Sequence, residues 1–129
     1  MSNPSFAAQP SSKAQRLPRV IHQEKLDHKI VYTIVTQETD RAFVGHFPNH
    51  PVLPGLVQLE WVDHFAKPLL GDVVLQNLEV IKFSRLVTPN LQLTLEVEKL
   101  ASDGTNNKIQ FRIYDEQGNF SSGKLVYLL

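Results

Sequence analysis

One segment of this chain, residues 56–70, carries apolar side chains around most of a helical wheel and lacks the alternation of a strand. Such a pattern is typical of a helix that is buried on most of its sides. Pro68 and Gly71 mark its end, because proline and glycine both favour helix termination. A single buried helix needs a surface around it, so the rest of the chain has to supply that surface.

Strand-like segments lie on both sides of the predicted helix. They are rich in β-branched and aromatic residues, and they span residues 18–24, 29–36, 78–86, 91–97, 109–113 and 120–128. In the third segment the alternation slips at Val80-Ile81, which predicts a β-bulge. Two strands, one long helix and four strands predict an α+β fold. In it, a curved antiparallel sheet of about five or six strands wraps the helix.

Composition limits the classes to which this chain can belong. Its 129 residues fit one domain, predicted over residues 17–129, while residues 1–16 are predicted to form a disordered tail. The 13 Lys and Arg balance the 13 Asp and Glu, which favours neither nucleic acid nor an anionic membrane as partner. The lack of cysteine excludes disulfides and cysteine nucleophiles. No run is apolar enough for a secretory signal or a membrane span, so a cytoplasmic location is expected.

The segment before the helix contains the most specific residues of the chain. It is Gly45-His46-Phe47-Pro48-Asn49-His50-Pro51-Val52-Leu53-Pro54-Gly55, and Glu60 follows in the first turns of the helix. Prolines at every third position, which are Pro48, Pro51 and Pro54, exclude a helix and favour a stiff extended path. They also exclude a helical zinc site built on His46 and His50, so no metal is expected.

The pattern Gly45-His46-Phe47-Pro48-x-x-Pro51-x-x-Pro54-Gly55-x-x-x-x-Glu60 resembles the active-site segment of the bacterial (3R)-hydroxyacyl-acyl-carrier-protein dehydratases. These are the FabZ and FabA enzymes with the hotdog fold, and the final Glu matches the FabZ type. A weaker similarity extends from about Leu17 to the end of the chain. The stretch Gln58-Leu59-Glu60-Trp61 is more similar to the ApeI-type branch, which is linked to aryl-polyene lipid synthesis.

The resemblance implies a reaction in which water leaves a 3-hydroxyacyl thioester to give the trans-2-enoyl thioester. No cofactor is expected, because the substrate arrives on the phosphopantetheine of acyl carrier protein. His46 would abstract the proton beside the carbonyl, since histidine is the side chain suited to a base near neutral pH. Glu60 would protonate the leaving hydroxyl or position a water. The backbone N–H of Gly55, at the helix start, would stabilise the thioester oxygen.

The resemblance implies how subunits associate, and two basic residues suggest a contact with the carrier protein. His46 and Glu60 of one site would come from different subunits, in a homodimer, a trimer of dimers or a mixed assembly with a sibling hotdog protein. Lys82 and Arg85, on the strand after the helix, would contact the acidic carrier protein. Two ordinary exposed charges are the alternative for this pair.

Other interpretations of the pattern stay open. Glu60, Asp63, His64 and Lys67 fall on one side of the helical wheel, which is typical of a solvated face. The hotdog fold also serves thioesterases, so the fold alone does not decide the chemistry. A catalytically silent subunit is a third possibility. Trp61 and Phe65 lie four residues apart on the apolar side of the wheel, which is typical of core packing. Since relatives usually have a small residue after the acid, the alternative is that Trp61 reshapes the acyl tunnel.

Overall fold

Six strands and one helix make up the part of the chain that the computed structural model describes, which is residues 17–37, 43, 51–102 and 104–128. In chain order they are β1 (Arg19–Lys25), β2 (Lys29–Val35), α1 (Gly55–Leu70), β3 (Leu75–Phe83), β4 (Gln92–Lys99), β5 (Asn106–Asp115) and β6 (Gly118–Leu128). The strands form one antiparallel sheet in the order β1-β2-β4-β5-β6-β3. The predicted α+β fold is confirmed.

The helix packs against the middle of the sheet, on strands β4 and β5. Its buried residues recur at helical spacing and are Val57, Gln58, Trp61, Val62, Phe65 and Ala66. Facing them are alternate positions of the central strands, which are Ile30, Tyr32, Ile34, Leu93, Leu95, Val97, Ile109, Phe111 and Ile113. The single buried helix that the apolar wheel predicts is therefore present, and it begins at Gly55.

The irregularity predicted in β3 is also present. Pairing of β3 with β6 shifts between Glu79 and Lys82, so Val80 and Ile81 together lie opposite Gly123. Ile81 packs on the core, whereas Val80 has a positive φ of 48° and is 74% exposed. Gly123 leaves room for the bulge, because a Cβ there would lie 2.5 Å from the Cδ1 atom of Ile81. The bulge thus fixes which β3 side chains face inward.

A tyrosine on β6 fastens the helix to the sheet. The Tyr127 hydroxyl donates a hydrogen bond of 2.7 Å to the Asp63 carboxylate, and the Lys67 ammonium lies 3.5 Å from the same oxygen. Burial raises the pKa of the Tyr127 phenol, and the hydrogen bond to Asp63 and its negative charge raise it further. Two members of the predicted solvated face are therefore engaged in an interaction with the sheet.

Replacing Tyr127 with phenylalanine is expected to lower the free energy of unfolding by about 1–3 kcal/mol, because Asp63 loses a buried donor. A raised folded pKa means that the stability from this tyrosine is lost as the pH rises above about 10, its value in the unfolded chain. The variant should therefore lose less stability between neutral and alkaline pH. Urea unfolding at both pH values measures this. An equal alkaline loss in parent and variant would contradict it.

Tyr114→Phe is the matched control at neutral pH. Its hydroxyl donates to Glu96 on the outer, half-exposed face of the sheet, at 3.2 Å. A hydrogen bond there exchanges with water, so its loss is expected to cost less than about 1 kcal/mol.

Candidate active site

The described residues include only some of the predicted site residues. Gly55, Glu60 and the prolines Pro51 and Pro54 lie within them, whereas His46 and Pro48 lie outside. Pro54 is the N-cap of α1, in an extended conformation with φ −62° and ψ 148°. Gly55 is the first residue of the helix, as predicted. The pairing of His46 with Glu60 remains a prediction.

The residue that caps the start of α1 forms no side-chain hydrogen bond to the helix. Pro54 offers only its carbonyl oxygen, which accepts hydrogen bonds of 3.1 Å from the N–H groups of Val57 and Gln58. No acidic residue stands in the first turn of the helix. No carboxylate of the helix's own first turn therefore offsets the positive end of the dipole, which suits an amide that has to stabilise a developing oxyanion.

An aromatic ring lies directly against the first residue of the helix. A Cβ placed on Gly55 would lie 2.6 Å from the Cζ atom of Phe83, the last residue of β3. A larger residue at this position would force the half-exposed Phe83 ring to move, so the close packing adds to the predicted reason for glycine, which is the approach of a substrate. The contact of Phe83 is not predicted from the sequence, because nothing in the chain order indicates that the end of β3 meets the helix start.

Glu60 lies on a helix face that is only partly solvated. His64 is exposed, but Glu60, Asp63 and Lys67 are half-buried within the single subunit. Asp63 and Lys67 interact with Tyr127, as described above. Leu56 stands one turn before Glu60 and is 70% exposed. The face around Glu60 therefore combines a carboxyl group with exposed apolar surface, unlike an ordinary solvated face.

A buried amide ties the helix to the proline segment. The Gln58 side chain is 3% exposed, and its Nε2 atom donates to the carbonyl oxygen of Leu53 at 3.3 Å. From the other side, the Leu53 N–H donates to the carbonyl oxygen of Val87 at 2.8 Å. The segment that leads into Gly55 is thus held between the helix and the chain after β3. This role of Gln58 is not predicted from the sequence.

The two basic residues predicted to contact a carrier protein have different surroundings. Arg85 donates a hydrogen bond to the Asp115 carboxylate and another, of 2.7 Å, to the carbonyl oxygen of Gly118. Its guanidinium carbon lies 3.8 Å from the ring centroid of Phe120. The hydrogen bond from Arg85 is the main cause that lowers the pKa of Asp115. Arg85 therefore fastens the chain after β3 to the β5–β6 turn, and β3 ends at Phe83 instead of the predicted residue 86.

Lys82 lies on the outer face of the sheet. With Arg112 and Lys124 it lines a cavity of about 470 Å³, whose other lining residues include Val80 and Gln110. Neither Lys82 nor Lys124 forms an ion pair with any residue that the structure describes. Arg112 lies 4.0 Å over the ring of Tyr114. Three cationic side chains therefore line this cavity, and the carboxylate beside them, Glu79, stands opposite Lys124 and is paired with Lys108.

Comparison with known proteins agrees with this geometry. A family model described as ApeI-like, ApeI dehydratase, matches residues 22–124, which include the helix start and Glu60. The chain belongs to the ApeI-like dehydratase family. The resemblance seen in the sequence is thereby confirmed.

Relatives of this ApeI-like chain include dehydratases of the FabZ type. The 3-hydroxyacyl-acyl-carrier-protein dehydratase FabZ of Thermus thermophilus is 31% identical over 120 residues, covering 86% of this chain and 83% of that protein. FabZ of Granulibacter bethesdensis is 39% identical over 76 residues, covering 51% of this chain and 45% of that protein. The latter match thus spans less than half of that relative's length.

A solved structure supports the fold assignment. A chain of the dehydratase heterocomplex ApeI:P from Xenorhabdus doucetiae matches with a TM-score of 0.74 and 28% identity, over 87% of this chain and 98% of that one. The hotdog fold is therefore confirmed. In the described part of this ApeI-like chain, no helix is long and apolar enough to cross a membrane, and no three metal-binding side chains form a cluster.

Proposed function

We propose that this chain catalyses the dehydration of a 3-hydroxyacyl-acyl-carrier-protein thioester to the trans-2-enoyl thioester, in fatty-acid or aryl-polyene-type lipid synthesis. One observation carries the proposal above the others. A helix start at Gly55, whose N-cap Pro54 forms no side-chain hydrogen bond, lies five residues before Glu60, in a chain that the dehydratase family matches over residues 22–124. A hydrogen-bond donor for an oxyanion and a carboxyl group are thereby placed on the same two turns of helix.

The proposed reaction uses one base and one acid. His46 takes the proton from the carbon beside the thioester carbonyl, and that electron pair forms the carbon–carbon double bond. The bond from C3 to its oxygen breaks, and Glu60 gives its proton to the departing oxygen, which leaves as water. Negative charge that builds on the thioester oxygen is stabilised by the Gly55 N–H. Exchange with solvent then removes the proton from His46 and gives a proton back to Glu60.

Strand β3 lies at one edge of the sheet, and its exposed apolar side chains support the proposal of a second subunit. Its exposed apolar side chains are Leu75, Leu78, Val80 and Phe83. An open edge strand with apolar side chains is suited to pairing with another strand. Phe83 links this edge to Gly55, so a subunit paired there would lie beside the candidate site. The similar Xenorhabdus protein belongs to a heterocomplex, which supports a sibling hotdog protein as an alternative to a second copy.

Product analysis tests the function directly. The purified protein, with its mass in solution measured alone and with co-expressed neighbours, is incubated with a 3-hydroxyacyl-carrier-protein. Mass spectrometry is expected to show a carrier that has lost one water while the thioester stays intact. A second substrate lacks the 3-hydroxyl group, and release of its free acid would instead indicate a thioesterase. No reaction in any assembly would favour the silent subunit.

The basic cavity around Lys82 is the proposed landing site of the carrier. Lys82→Glu and Lys124→Glu are each expected to lower kcat/KM for a carrier-bound substrate by about threefold to tenfold, because unpaired cations steer an acidic partner. The loss should shrink at high salt and be far smaller for a short synthetic thioester. Lys25→Glu, on β1 at the opposite end of the sheet, is the matched control. Equal losses in all three variants would contradict the proposal.

A further inference from the structure

We propose that Thr36 is a positioning residue for the proposed dehydration, because it fixes one end of the chain segment that carries His46. The inference rests on the proposed function and adds to it a residue that acts through the base. Thr36 directly follows β2 and lies ten residues before His46 in the sequence. It is polar and yet 0% exposed, so its hydroxyl needs partners inside the protein.

The Thr36 hydroxyl bridges two backbone groups of the β3–β4 connection, residues 84–91. It donates a hydrogen bond of 2.8 Å to the carbonyl oxygen of Thr88 and accepts one of 3.0 Å from the N–H of Leu91. Two backbone hydrogen bonds join the same segments. The Thr36 N–H donates to the Leu91 carbonyl oxygen at 2.9 Å, and the Asn90 N–H donates to the Thr36 carbonyl oxygen at 2.7 Å. The hydroxyl thus uses both its donor and its acceptor capacity to fix Thr36 on the connection.

The other end of the same segment reaches the neighbouring residue of the connection. The Leu53 N–H donates to the carbonyl oxygen of Val87 at 2.8 Å, and Val87 directly precedes Thr88. Cα atoms of adjacent residues are about 3.8 Å apart, so the two points of attachment lie close together. Residues 37–52, which include His46 in sequence, are therefore held at both ends on one short stretch of chain.

The connection is fixed by contacts of its own, so it can act as a support for the segment. The Ser84 N–H donates to the carbonyl oxygen of Phe120 on β6 at 2.8 Å, and Val87 is fully buried in the core. Arg85 binds the β5–β6 turn, as described above. Holding both ends of the segment on such a support reduces the number of conformations open to the base, which preorganises it for proton transfer.

Loss of the Thr36 hydroxyl is expected to act on the chemical step more than on binding. A base has to lie within hydrogen-bond reach of the proton that it takes, and a misplacement of about 1 Å can cost ~10²-fold in rate. The Leu53–Val87 hydrogen bond, which lies next to the helix start, stays intact in a Thr36 variant. Thr36→Val keeps the shape and removes the hydroxyl, so it should lower kcat by roughly tenfold or more and leave KM within about threefold.

Three further variants separate positioning from simple loss of stability. Thr36→Ser keeps the hydroxyl and should restore kcat to within about threefold of the parent. Thr33→Val makes the same change on the half-exposed face of β2, and Tyr127→Phe removes a buried hydroxyl that ties α1 to the sheet, so both should keep the parental kcat. Urea unfolding and mass in solution are measured for every variant. Hydrogen–deuterium exchange of peptides from residues 37–52 is a second readout that needs no turnover.

Exchange in residues 37–52 is expected to be about tenfold or more faster in Thr36→Val than in the parent and in the other variants. An unchanged kcat in Thr36→Val, an equal loss in Tyr127→Phe, or a loss that Thr36→Ser does not reverse overturns the inference. Equal exchange in the parent and in Thr36→Val overturns it as well. If the parent performs no dehydration, the proposed function fails, and the exchange alone then decides whether Thr36 holds the segment.

Discussion

Replacing Glu60 with glutamine is expected to slow dehydration by roughly 10²–10⁴-fold, the range that general acid–base groups contribute. Glutamine keeps the size of the side chain and its ability to form hydrogen bonds, but it has no acidic proton to give to the departing oxygen. His46→Ala is expected to cost a similar factor because the carbon proton then has no base. Initial rates on a 3-hydroxyacyl thioester measure both losses, with circular dichroism and thermal unfolding to verify the fold.

Asp63→Asn is the matched control for Glu60→Gln. Asp63 is a half-buried carboxylate less than one turn further along α1, and it binds Tyr127 instead of facing the helix start. Its replacement is expected to lower stability and leave the rate within about threefold, because it lies outside the proposed acid–base pair. Parental rates in both the His46 and the Glu60 variants would refute the mechanism.

Mixing the two inactive variants tests whether a site is shared between subunits. In a dimer of one His46→Ala and one Glu60→Gln subunit, a shared arrangement leaves one site with both groups intact. Random mixing of equal amounts should then restore about a quarter of the parental activity. If both groups of a site belong to one chain, every site keeps a defect and the mixture stays inactive.

Replacing Trp61 with alanine is expected to lower the free energy of unfolding by about 3–5 kcal/mol, the usual cost of truncating a large core aromatic. The ring is 1% exposed and belongs to the core between α1 and the sheet, so its removal leaves a cavity that the neighbours fill only in part. Urea unfolding gives the difference. Leu56→Ala, on the exposed side of the same helix, should change stability by less than about 0.5 kcal/mol. Equal effects of the two substitutions would contradict the packing described here.

The sequence predicts the fold well, because the pattern of buried positions is local. A helical wheel that is apolar on most sides is typical of a helix surrounded by the rest of the fold. Residues 56–70 have this pattern. The slip at Val80-Ile81 correctly predicts the bulge, since one extra residue exchanges inward and outward positions downstream. The predicted end of β3 at residue 86 is wrong by three residues, because Arg85 binds the β5–β6 turn, a contact between distant segments.

The candidate site was predictable in its residue types and less so in its surroundings. Gly55 and Glu60 stand where the motif indicates, at the start of the helix. The contact of Phe83 with Gly55 and the hydrogen bond from Gln58 to Leu53 depend on how the helix start packs and on the rotamers that result. A motif gives the order of residues but not the side chains that other segments bring beside them, so neither contact was predicted.

The apolar side chains along the outer edge of β3 affect the thermal stability of the isolated protein. If that edge is covered only when another polypeptide binds, folding and association share one equilibrium, and mass action links them. The melting temperature should then rise with total concentration and fall on dilution. An excess of whichever partner covers the edge should act as a stabilising ligand.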